Sequence, residues 1–188
     1  MRIKAKWHKK GKERSLEELA SALAFTTWRI GMQGVLHLEN EGFQTDTQSQ
    51  RMDVVAEFAA FLTHIVDRYA YSRMSGEERA RFINAFALKM AEFMQDNRQD
   101  VAGPGDHAGA FVALLNARTD DYAECSFDDR EGPGFSMRRT FGDHVTAVMG
   151  EKDRRWITDY VMDVETPEAL RNLKRALRSL MGWEELAD

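Results

Sequence analysis

The chain has 188 residues, 43% of them hydrophobic and 30% charged, with a net charge of −5. That length suits one domain able to bury most of its apolar surface without staples, and the acidic excess argues against a general nucleic-acid binder. A single cysteine, Cys125, excludes an intrachain disulfide and favours a reducing, cytoplasmic setting.

Residues 1–14 form a basic N-terminal arm, in which Arg2, Lys4, Lys6, Lys9, Lys10, Lys12 and Arg14 face only Glu13. The run reads as a flexible, solvated tail without the apolar core of a signal peptide. Ile3, Ala5 and Trp7 alternate as they would in a short edge strand paired with a partner. Residues 15–188 read as a single all-helical domain.

Ser15-Leu16-Glu17-Glu18 is a capping box that opens the first helix, about 16–38. Between Glu18 and Glu39 the only full charge is Arg29. A helix apolar on nearly every side is enclosed by neighbours, so this one is expected at the centre of the bundle. No membrane span is expected, because a mid-bilayer Arg costs about 2.5–3.5 kcal/mol on insertion scales. Gly31 and Gly34 leave room beside it for a neighbouring helix or a ligand, at about 1 kcal/mol each relative to Ala. Arg29, if buried, requires a carboxylate or an anionic ligand.

A second helix spans about Ser49 to Met74, with Val54, Phe58, Phe61, Leu62, Ile65 and Tyr69 on its apolar stripe. Asp53, Glu57, His64, Asp67, Arg68 and Tyr71 share another sector. Thr47-Gln48-Ser49-Gln50 offers a weaker capping box before it, and Ser75-Gly76-Glu77-Glu78 opens a third helix that frays near Asp96-Asn97. The short joint at Ser75 makes these two antiparallel neighbours. After the break at Gly103-Pro104-Gly105, Asp106 caps a fourth helix, about 107–122, presenting Phe111, Leu114, Leu115 and Arg118. Residues 128–134 have the composition of a mobile loop. A fifth helix follows over about 136–149, a sixth over about 152–163, and Thr166-Pro167 reads as the start of a seventh. The whole predicts an all-α bundle of six to seven helices around the buried 16–38 helix.

High-specificity motifs are absent: no Cys-x-x-Cys, His-Glu-x-x-His, Gly-x-Ser-x-Gly or phosphate loop occurs. His37, Glu39 and Glu41 converge only if the helix end unwinds. Glu57, His64 and Asp67 recur at helical spacing, with His64 and Asp67 neighbours at i,i+3. Asp120-Asp121-Glu124 and Asp143-His144 are candidate partners. Acidic neighbours make Cys125 a structural cysteine rather than a nucleophile. Arg171, Lys174, Arg175 and Arg178 read as a solvated outer face.

These features favour a cytoplasmic protein-interaction or regulatory module, able to form a homodimer and to bind an unidentified protein partner. The alternative is a small-ligand or metal-binding helical protein, an enzyme included, with Arg29, Glu57, His64 and Asp67 as ligand-binding groups. No catalytic residue, metal site or cofactor is assigned.

Overall fold

The computed structural model describes residues 14–150 and 154–186. The expected arm, Arg14 aside, lies outside the described residues, as does the expected start of the sixth helix at Lys152. The described residues form an all-α bundle. The helices are α1 (Leu16–Asn40), α2 (Gln48–Tyr71), α3 (Gly76–Ala102), α4 (His107–Ala123), α5 (Phe135–Met149), α6 (Arg154–Tyr160) and α7 (Thr166–Met181). A π turn, Val161–Glu165, joins α6 to α7 without a break, giving six helical rods among the described residues.

Both full capping boxes form: Ser15 with Glu18, and Ser75 with Glu78. Thr47 caps α2 through Gln50 N–H, but the Gln50 side chain donates to Val148 O at 3.1 Å, tying α2 to α5. α3 runs past Asp96-Asn97 to Gly103, whose φ of +82° ends it. At Thr166-Pro167 no new helix begins. The ring nitrogen of Pro167 has no proton to donate, and the strand of backbone bonds shifts to π register, with Thr166 N–H and Oγ1 both donating to Val161 O.

The segment expected as a mobile loop is an ordered hairpin. β1 (Phe127–Asp128) pairs antiparallel with β2 (Gly132–Pro133). Asp128 Oδ1 accepts the backbone N–H groups of Arg130 and Glu131 at 2.8 and 2.9 Å, and Gly132 takes φ +88°. A side-chain carboxylate holding two turn amides is the local bond that stabilises such turns.

α1 lies against α2, α3 and α7 and buries Leu23, Trp28, Val35 and Leu38. It shares the centre with α2, which touches α1, α3, α4 and α5 and is buried at every position from Val54 to Val66. Gly31 and Gly34 explain how the two approach. The Phe58 side chain fills the space, and a Cβ on Gly34 would fall 2.5 Å from Phe58 Cε1. Among the described residues, no helix is long and apolar enough to cross a membrane.

Candidate functional site

α4 decides the character of the site, because it lies across the polar sector of α2. Arg118 falls on the same α4 stripe as Phe111 and Leu115, so a charge is carried inward with the apolar side chains. An inward guanidinium requires an acid. Glu57, 1% exposed, supplies it: Arg118 Nε and Nη2 each donate to one carboxylate oxygen at 2.7 Å. Asp121 lies 3.2 Å from Arg118 Nη1 and 3.1 Å from His144 Nε2 of α5. Burial and the Arg118 charge both hold the His144 pKa below its ordinary value. This sector of α2 is therefore in part a covered ion-pair network.

Two turns further along α2, His64 is 6% exposed. Arg68 Nε donates to His64 Nε2 at 3.1 Å. A guanidinium nitrogen can only donate, so Nε2 accepts and the proton sits on Nδ1. Burial and the Arg68 charge push the His64 pKa down to about 4, keeping the ring neutral at neutral pH. Its Nδ1–H has no acceptor among the described residues. Arg68 Nη2 also donates to Tyr122 O and Ala123 O at 3.3 and 3.1 Å, closing the C-terminal carbonyls of α4. Tyr122 stands between the two histidines, its ring 5.3 Å from that of His64 and 6.0 Å from that of His144.

Asp67 is held by Arg79 of α3 as a two-pronged pair, 2.7 and 2.5 Å, and the Arg79 guanidinium lies 5.0 Å from the Tyr71 ring centre. Arg73 takes Glu185 at 2.5 Å and Asp129 of the hairpin turn at 3.2 Å. Beside these pairs an open cleft of about 470 Å³ lies between α2, the start of α3, the end of α4 and the hairpin. His64, Arg68, Arg79 and Asp67 line it, with Tyr71 and Phe127 as its aromatic walls.

The four expected ligand-binding residues therefore separate. His64 and Asp67 line the cleft; Glu57 is committed to Arg118. Arg29 is exposed on α1, its guanidinium 6.0 Å from the Phe25 ring centre, and is not among the residues lining the cleft. Being exposed, it does not meet the condition of burial under which it would require a carboxylate or an anionic ligand. Arg79 joins the site through Asp67, and Arg68, already in the sector of His64 and one turn from it, gains its role from His64 and the α4 carbonyls.

The other candidates resolve as structural contacts. His37 Nδ1 lies 3.3 Å from Glu165 and 3.8 Å from Glu168, while Glu39 pairs with Arg51, so His37, Glu39 and Glu41 do not converge. Burial raises the Glu165 pKa against the opposing pull of His37. Cys125 is partly buried, its Sγ donating to Asp121 O at 3.7 Å. Lys174 is 8% exposed and donates to Arg130 O at 3.1 Å, so the α7 stripe is not wholly solvated. Among the described residues no group of three or more His, Cys, Asp or Glu is placed to hold a metal ion. No protein-family model, curated protein or solved structure matches the chain.

Proposed function

We propose that this protein acts by binding, with the cleft between α2, α3, α4 and the hairpin as its recognition site for a small ligand. The observation that supports this reading is His64. It is nearly buried, it lines the cleft, and its Nδ1–H donor has no acceptor among the described residues, while Asp67 beside it is held by Arg79. That donor borders the cleft rather than being sealed in the core, so a bound acceptor can meet it. Polar groups converging in a recess between helices are the usual anatomy of a small-molecule site. Catalysis has less support, since Glu57 and Asp67 are both held by arginines. A cytoplasmic setting, favoured by the lone cysteine, belongs to the same proposal.

A second reading, a protein-interaction or regulatory module that also forms homo-oligomers, draws on the apolar side chains left in solvent. Leu88 on α3 and Trp156 on α6 are each 63% exposed.

NMR titration with pools of small polar metabolites tests the first reading. Saturable shifts should appear at the amides of Arg68, Ser72, Ala123 and Phe127 and vanish in Ala123→Trp, which fills the cleft from an exposed position. Unmoved cleft amides, together with self-association in sedimentation equilibrium that Leu88→Glu or Trp156→Glu abolishes, would favour the second.

A further inference from the structure

The charges around the cleft are not paired one to one. Asp67 is taken by Arg79, while Arg73 holds both Asp129 and Glu185. Arg68 has no carboxylate partner among the described residues, and its bonds go to a neutral imidazole and two backbone carbonyls. The carbonyl end of α4 offers it only about half a charge. A guanidinium carries five N–H donors. Those on Arg68 Nη1, like those on Arg79 Nη1, have no acceptor among the described residues. Ser72 Oγ accepts from Arg73 Nη1 at 2.8 Å, leaving its own hydroxyl proton to donate. The cleft therefore presents an excess of donors: two guanidinium edges, the His64 Nδ1–H and the Ser72 hydroxyl. Its acidic side chains are already engaged.

We propose that the cleft binds an anionic oxygen group, a phosphoryl or a carboxylate, seated against Arg68 and Arg79 with the His64 Nδ1–H as its neutral donor. This deepens the binding reading above and rests on it. Planar guanidinium forks match the oxygens of both groups, and a neutral histidine adds direction without further charge. The His64 pKa near 4 is consistent with this, since the ring stays a one-proton donor across the physiological range. The low volume of positive charge also sets a limit: with Asp67 and Asp129 close by, a compact anion fits better than an extended polyanion.

The test uses the full chain, with inorganic phosphate and succinate as separate probes and sodium chloride at matched ionic strength as control. NMR titration reads the amides of Arg68, Ser72, Ala123 and Phe127, and calorimetry gives the affinity. One or both probes should bind saturably where chloride does not, and the tighter of the two names the source. His64→Phe, which keeps a ring but removes the donor, and Arg68→Lys, which keeps charge but removes the fork, should each weaken binding about tenfold, the equivalent of about 1.4 kcal/mol. Ala123→Trp should abolish it. Circular dichroism of each variant confirms that it folds, and Ala123→Trp alone suffices should His64→Phe fail to. Binding that survives Ala123→Trp places the anion elsewhere and overturns the proposal. No response to either probe also overturns it. If uncharged metabolites still shift the cleft amides in that case, only the ligand class is wrong; if nothing shifts them, the binding reading falls as well.

Discussion

Removing Arg118 would leave the Glu57 carboxylate buried without a counter-charge, and that asymmetry makes the pair testable. Arg118→Met should cost about 3 kcal/mol in urea unfolding, toward the lower end for broken buried pairs because Arg118 sits at the edge of the core. Glu57→Leu with Arg118→Met should recover most of the loss, since an apolar pair of similar volume needs no compensation. A double variant no better than the single one would show that shape rather than charge is at stake. At His64 the prediction concerns pH. Its pKa falls from 6.5 in the unfolded chain to about 4 in the fold. Between those values the unfolded state binds the extra proton, so stability is lost as pH falls from 6.5 towards 4. The gap corresponds to about 3 kcal/mol at most. His144 is shifted in the same direction, and Glu165, raised by burial, acts with the opposite sign above pH 4.5. The measurement is therefore the difference between wild type and His64→Phe across that window. A pH-independent difference would mean that His64 is charged in the fold.

Helix α1 meets α2 through glycine, and the two glycines differ in a way that separates close packing from mere tolerance. A Cβ on Gly31 would lie 3.3 Å from Phe58 Cβ, a contact that small movements relieve. On Gly34 it would lie 2.5 and 2.6 Å from two carbons of the Phe58 ring. That ring is fully buried and set edge-on against Phe141 at 4.9 Å, so it has nowhere to move. Replacing Gly by Ala in a helix gains about 1 kcal/mol from the backbone, whereas overpacking a core costs about 1–3 kcal/mol. Gly31→Ala should come out near neutral and Gly34→Ala destabilised by about 1 kcal/mol or more in urea. Stabilisation at Gly34 would show that the helices are not pinned by Phe58. The α6–α7 rod shows a different element-level compromise. Its π turn keeps the helix running through Pro167 and brings Glu165 to His37.

At the scale of the whole molecule, α2 touches four helices and leaves none of the core to a separate unit. Unfolding in urea should give one transition, the same by far-UV dichroism and by fluorescence of Trp28, which is 1% exposed. Two separated transitions would divide the bundle into independent parts. Most of the helices were legible in the sequence because their determinants are local. Ser15 and Ser75 lie three residues from the Glu that completes each box, and apolar stripes repeat within a few turns. The same local reasoning misplaced the hairpin, whose Asp128 bonds only its own turn, and the helix break at Pro167, which a π register absorbs. The site was less legible. Glu57 and Arg118 are 61 residues apart, and His37 and Glu165 are 128 apart. The sequence determined which helix faces are apolar and where the helices start, since caps and periodicity act over three or four residues. Only the tertiary structure decided that Arg29 faces solvent, that Glu57 is buried and that His64 lines a cleft, because a charge's environment is set by whichever helix is packed across it.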